Sequence, residues 1–368
     1  MKQFFIRILS FLRVKPVVGG LEISDSALHF AILSGKNLKS AGLRLPPGVV
    51  VGGQIKDREQ FVGALRALHY QILGEEKNRN RISVIISLSS IGIYTQVFNL
   101  PMLEGESLEK AVELNIQMIS PLDFAEAYSG WQFAKKDTEK SRLEVLSAFV
   151  SRNVVDEFVS ALGEGGFLAV AIESHALSLA RLLKDAGKDF DATKPYIMLS
   201  IDGGGLDILI IRHEQLHFDY FNSWRDIQGD AKEISADAFK AAVIRSLHQV
   251  VNFSNSHWRE PVTEILFTAT GFKDEAVKII EENFSLKTRT FELSMGQAVA
   301  PDWFVALGAS ARGQKPRRSD NEISLLGINA REEFGREQVL GFLRFWRILM
   351  PAAIAIFLVA FFGTNLAL

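Results

Sequence analysis

Two short stretches of this chain carry residue types suited to chemistry. Asp202-Gly203-Gly204-Gly205 sets one carboxylate ahead of three glycines. Glycines let a backbone approach a ligand closely, and successive N–H groups in a tight turn can cradle an anion. A carboxylate beside such a cradle suits Mg²⁺ held through water. The same four residues also make an ordinary glycine-rich hairpin turn. The second stretch, His213-Glu214-Gln215-Leu216-His217, is a literal His-Glu-x-x-His, with Glu233 and Asp237 downstream in place of a third zinc ligand. Zinc proteolysis needs both imidazoles on one helix face with the glutamate beside the metal. Here the pentapeptide follows the β-rich run Ile208–Ile211 and leads into the alternating Leu216–Phe221, so it reads as a hairpin turn, with a membrane-tethered zinc protease as the minor alternative. His29, His69, His175, His248 and His257 add no further ligand spacing.

The elements around these stretches form a repeating pattern. Val17–Ile23 is a strand, Ser24-Asp25-Ser26 a polar turn, Ala27–Leu33 a second strand, and Ser34-Gly35-Lys36-Asn37 reverses the chain again. Tyr196–Ile201, the glycine turn, Leu206–Ile211 and the turn Arg212–Gln215 repeat that order, which suggests a duplication. Helices follow each meander. Asp57 and Gln60 can form a capping box ahead of the apolar face Phe61, Leu65, Leu68 and Ile72, and Phe239, Val243, Leu247 and Val250 repeat the spacing. Between the halves, residues 93–168 read strand, helix, strand, strand, helix, as a small inserted α+β subdomain. The body is then α/β over residues 16–318, with a second half at about 169–311.

Both ends of the chain point to a membrane. Ile348–Leu368 carries no charge and is long enough to cross the roughly 30 Å hydrocarbon core as a helix. Lys315, Arg317, Arg318, Arg331, Arg336, Arg344 and Arg347 precede it and nothing basic follows, which places residues 1–347 on the cytoplasmic side. Residues 1–15 mix Phe4, Phe5, Ile8, Leu9, Phe11 and Leu12 with four basic side chains, as an interfacial or terminal helix would. A net charge of −2 gives no drive towards nucleic acid, and Arg312–Arg318 reads as a linker and topology signal. The absence of cysteine excludes disulfides and thiolate metal sites.

Several segments together resemble the PilM family of type IV pilus assembly, similar in design to the type II secretion protein GspL. They are Leu45–Ile55, Leu114–Tyr128 with Ile119-Ser120-Pro121-Leu122, Asp156–Leu183, and Ile201–Phe218. The resemblance implies an actin-like (ASKHA, ribonuclease H-like) fold with ATP and Mg²⁺ as cofactors. Its nucleotide-site positions fall on Glu22, Ser24, Asp202, Gly203, Gly204, Gly205 and Gly271. Glu22 stands where the family has aspartate, and Phe267-Thr268-Ala269-Thr270-Gly271 keeps one glycine of a glycine-rich turn. These departures weigh against hydrolysis, leaving an active actin-like ATPase as the alternative to a scaffold. The segment Glu322–Asn329 resembles the cytoplasmic head of PilN, so Ile323, Leu325 and Leu326 are expected to dock in the chain's own groove, residues 319–347 joining it to the membrane. The partners implied are the membrane, platform proteins of PilN/PilO type, a cytoplasmic assembly ATPase or its adaptor, and further copies of the chain. The place implied is the inner membrane.

Overall fold

The computed structural model describes residues 17–34, 37–74, 80–229, 233–258, 260–295 and 298–327, with nine helical positions between 346 and 362. Residues 1–15 and most of the expected span Ile348–Leu368 lie outside the described residues. No helix among the described residues is long and apolar enough to cross a membrane. Of the described positions near the C-terminus, Met350, Ile354, Phe357, Leu358 and Phe362 are large, apolar and exposed.

Residues 18–327 form one compact unit. Its strands are β1 (Gly19–Ile23), β2 (Ala27–Ser34), β3 (Asn37–Arg44), β4 (Val50–Val51), β5 (Gln54–Ile55), β6 (Ile82–Leu88), β7 (Tyr94–Pro101), β8 (Ala127–Asp137), β9 (Arg142–Ser151), β10 (Phe167–Ser174), β11 (Tyr196–Ile201), β12 (Gly205–Arg212), β13 (Gln215–Ser223), β14 (Glu264–Ala269) and β15 (Lys287–Thr290). Two five-stranded sheets share one topology. In the first, the antiparallel meander β1–β2–β3 is extended through parallel β6 and β10; in the second, β11–β12–β13 is extended through parallel β14 and β15. The duplication read from turn chemistry is thus a duplication of sheet order.

Helices cover the sheets as the apolar spacing requires. Arg58–Leu73 starts at Asp57, whose Oδ1 accepts the Gln60 amide at 2.9 Å while the Gln60 side chain donates back to Oδ2 at 2.7 Å. Phe61, Leu65 and Leu68 on that helix are buried. In the second half Ala236–His257 buries Phe239, Val243, Leu247 and Val250 against Ile208 and Ile210 of β12. The insertion is narrower than the sequence pattern suggests. The antiparallel sheet β7–β9–β8 carries the helix Gly105–Ile119 on one face, Val112 and Ile116 meeting Leu143, Val145 and Phe149. The helix Arg152–Glu164, by contrast, packs on the first half, with Phe158 edge-on to Phe61 at 5.6 Å, and β10 joins the first sheet. The late helix Phe304–Gln314 also returns to the first sheet, lying on β1, β2 and β6 beside the helix His175–Ala186.

Candidate functional site

β1, β10 and β11 end together. Open α/β sheets bind ligands beyond the carboxyl ends of their parallel strands, where the chain turns away into loops and helices. Glu22 stands one residue from the end of β1, Asp202 directly follows β11, and His175 opens the helix after β10 behind its N-cap Ser174. A ring nitrogen of His175 and one carboxylate oxygen each from Glu22 and Asp202 lie within 4.8 Å of one another. This is the single such cluster of His, Asp and Glu ligand atoms among the described residues.

The surroundings of each group are specific. Glu22 is buried and its Oε2 meets His29 Nδ1 on β2 at 3.1 Å. Burial opposes a charge on His29, but Glu22, with Asp302 and Asp202 nearby, overrides it and holds the ring above the usual histidine range. Asp202 Oδ1 accepts the amides of Gly204 at 2.7 Å and Gly205 at 3.2 Å. Burial pushes its carboxyl up and Glu22 adds to this, against the pull of His175 and of the two amides. Next to this group sit two more acids. Asp207 on β12 is buried with Ser90 Oγ at 3.4 Å, and burial, then Asp219 and Asp202, pushes it well above the usual range. Asp219 on β13 accepts from Thr95, and burial raises it to about 6.

The remaining sequence candidates divide. Ser24 is buried and spends its hydroxyl within its own turn, donating to Ala27 O at 3.2 Å and accepting Ala27 N at 3.1 Å. Gly203 faces Ser26 so closely that a Cβ there would lie 2.6 Å from Ser26 Oγ, which brings the two meander turns into contact. Gly271 follows β14 at the same sheet end, where Thr270 N bonds Ile201 O at 3.0 Å. Trp224 Nε1 closes over the glycine turn by donating to Asp202 O at 2.7 Å.

His213 and Glu214 are the two central residues of the β12–β13 hairpin, both at positive φ, 49° and 62°. That is the geometry of a two-residue type I′ turn, not of a zinc helix. His213 meets Lys135 Nζ at 3.2 Å, and burial followed by the Lys135 charge lowers its pKa. His217 lies on β13 with Nε2 against Glu144 at 3.2 Å. The zinc-protease alternative is therefore corrected.

Ile323, Leu325 and Leu326 are buried, at 1%, 0% and 3% exposure. Their segment runs between β8 and the end of β10: Ile323 N bonds the Gln132 side chain at 3.0 Å and Leu325 N bonds Ile172 O at 2.8 Å. Gly130 leaves room for it, since a Cβ there would lie 3.1 Å from the Ile323 side chain. A buried ionic cluster frames the segment. Glu173, fully buried, takes Arg181 at 2.6 and 2.7 Å, Arg312 at 2.5 Å and Ser178 at 2.6 Å. Burial works against its charge, but the two guanidinium groups hold it below the usual carboxylate range. Arg181 also pairs with Glu322, and Arg312 reaches Asp320 and the carbonyls of Glu322 and Ile323. Arg312 is 1% exposed, so the reading of Arg312–Arg318 as linker is corrected at that residue, and Lys315 and Arg317 pair with Glu322 and Asp320.

A solved PilM-PilN type IV pilus biogenesis complex superimposes with a TM-score of 0.66, covering 82% of this chain and 100% of that one at 18% identity. The fold is actin-like. The cytoplasmic domain of EpsL, an inner-membrane component of the Vibrio cholerae type II secretion system, aligns at TM-score 0.47 and 9% identity, over 84% of this chain and 98% of that one. Ethanolamine utilization protein EutJ from Carboxydothermus hydrogenoformans aligns at 0.42 and 12%, over 80% and 88%. No protein-family model matches the chain, and no curated protein sequence does. The resemblance to the PilM family implies nucleotide phosphates at these two turns. Here the turns touch at Gly203 and Ser26 and the Gly204 and Gly205 amides are spent on Asp202, so a phosphate would need those amides freed and a cation such as Mg²⁺ between it and the carboxylates of Glu22 and Asp202.

Sequence reasoning missed His175, Asp207 and Asp219. A signal for His175 existed, since an N-cap serine after an apolar strand places the next residue at a strand's carboxyl end. Nothing in the run Leu206–Ile211 marked Asp207 as more than a polar residue in a strand.

Proposed function

We propose that this chain is a platform component of a type IV pilus or a related secretion or competence machine, working as a scaffold rather than as an ATPase. One observation carries the reading: an actin-like body matching the whole of a solved PilM-PilN chain holds Ile323, Leu325 and Leu326 of its own C-terminal extension buried in a groove. The segment plays the part of a PilN-type head, so the chain unites a PilM-like body and the start of a PilN-like partner. Covalent tethering supplies millimolar-scale effective concentration, so the contact needs little intrinsic affinity. In this reading the uncharged run Ile348–Leu368 crosses the inner membrane, and the exposed apolar side chains of Met350, Ile354, Phe357, Leu358 and Phe362 suit a lipid-facing helix. The body lies on the cytoplasmic side, with PilN/PilO-type proteins and a cytoplasmic assembly ATPase or its adaptor as partners.

The test is cross-linking in the native host followed by purification of the full chain from membranes and mass spectrometry. Enrichment of pilus, secretion or competence components is expected. Recovery of none of them overturns the proposal. Titration of the purified chain with ATP and Mg²⁺ is expected to give no binding at millimolar nucleotide, and saturable binding would restore the ATPase reading.

A further inference from the structure

The buried carboxylates of this body are balanced in two different ways. Glu173 meets two guanidinium groups. Glu22 and Asp202, whose oxygens lie within 4.8 Å of each other, meet no lysine or arginine among the described residues, and His29 on Glu22 is the sole basic side chain paired with either. Glu22 is buried and Asp202 half-buried, and two adjacent carboxylates so withdrawn from water are costly unless a cation accompanies them. Beside them His175 is 2% exposed, and its Nε2 has no hydrogen-bond partner. A buried ring nitrogen left without a partner is uncommon in a folded core.

We propose that Glu22, His175 and Asp202 bind a divalent transition-metal cation of the Zn²⁺ or Mn²⁺ class, which joins the two halves of the body at the ends of β1, β10 and β11. The donor chemistry selects the ion. One imidazole with two carboxylates suits first-row transition metals, whereas Mg²⁺ prefers oxygen ligands and keeps most of its water. The geometry is close to what is needed. Bonds of roughly 2.0–2.2 Å set neighbouring donors about 3–4 Å apart, so small side-chain rotations bring the three atoms, now within 4.8 Å, into a coordination sphere. Supporting contacts are in place. His29 orients Glu22, and the Gly204 and Gly205 amides hold one Asp202 oxygen, leaving the other free to ligate. A cation here occupies the position where the two turns meet and fixes the halves against each other. The site stands independently of the pilus reading, because its test involves no partner.

The experiment uses the full chain, purified without a histidine tag and stripped with chelator. Isothermal titration with Zn²⁺, Mn²⁺ and Mg²⁺ and thermal unfolding are measured for the wild type, His175→Ala and Asp202→Asn. One equivalent of Zn²⁺ or Mn²⁺ is expected to bind, raising Tm by roughly 3–5 °C at a hundredfold excess over Kd. His175→Ala is expected to weaken binding by at least the roughly 10- to 100-fold that loss of a supporting residue costs a metal site. Asp202→Asn, which keeps an acceptor for the turn amides, tests the same ligand set if the histidine variant fails to fold. Absence of binding below millimolar metal overturns the proposal. So does Mg²⁺ binding as tightly as Zn²⁺ and Mn²⁺, or binding indifferent to both substitutions.

Discussion

Replacing Glu173 by glutamine removes one charge from a cluster in which every polar atom is engaged. The shape of the side chain is kept, but Arg181 and Arg312, at 5% and 1% side-chain exposure, lose their shared counter-ion. Taking one partner from a buried ion pair typically costs 3–5 kcal/mol, because the remaining charge stays desolvated. Here Glu322 still faces Arg181 and Asp320 still faces Arg312, so the loss falls at the low end, about 3 kcal/mol. For a body of roughly 300 residues, with an unfolding entropy near 2.1 cal/mol/K per residue, that lowers Tm by about 5 °C. Urea unfolding and calorimetry of the full chain measure both quantities. A second readout is specific to the cluster. Arg181 and Arg312 hold Asp320, Glu322 and the Ile323 carbonyl, so trypsin cleavage after Arg317 or Arg318 is expected to speed up several-fold in the variant. A Tm within about 1 °C of wild type, with unchanged cleavage, refutes the view that Glu173 anchors the segment.

Leu325→Ala removes a fully buried side chain and is expected to cost about 3 kcal/mol in urea unfolding; a loss below 1 kcal/mol means the segment packs loosely. Asp219 has a folded-state pKa of about 6, above its unfolded value near 3.9, so the native chain holds the proton more tightly and gains stability as pH falls from above 6 towards 4. Asp219→Asn is therefore expected to stabilise the protein at pH 7–8, by at most about 3 kcal/mol and less in practice because the side chain keeps some solvent contact, and to flatten the pH profile of urea unfolding between about pH 4 and 6. The paired change His213→Asn with Glu214→Gly puts residues suited to positive φ into the hairpin and is expected to add about 1 kcal/mol, read from the urea midpoint, where a loss speaks against the turn assignment.

What could be read from the sequence was local, and what could not was long-range. The hairpins were legible because turn residues and β-rich runs alternate over a few positions, and the start of the helix Arg58–Leu73 was legible because Asp57 and Gln60 satisfy each other three residues apart. The boundary of the insertion was not. Val155, Phe158 and Leu162 say that one face of the helix Arg152–Glu164 is buried, but amphipathicity does not name the partner, which is the helix bearing Phe61. His175 looked like any isolated histidine because Glu22 and Asp202 reach it only once both sheets are built. Arg312 looked like linker because its counter-charge, Glu173, belongs to a distant strand.

That last case bears on how the C-terminal segment finds its place. Three apolar side chains supply most of the burial energy, and a slide of one residue would already set Ser324 in the place of Ile323 and Gly327 in the place of Leu326. The charges oppose the slide as well. Glu322 must meet Arg181 and Lys315, Asp320 must meet Arg312 and Arg317, and the Leu325 amide must meet Ile172 O. A shift of one residue would take Glu322 from Arg181 and Asp320 from Arg312 and leave the two guanidinium groups to share Glu173 alone, at a cost of several kcal/mol. The apolar residues make the segment bind, and together with the ionic frame they make it bind in one register.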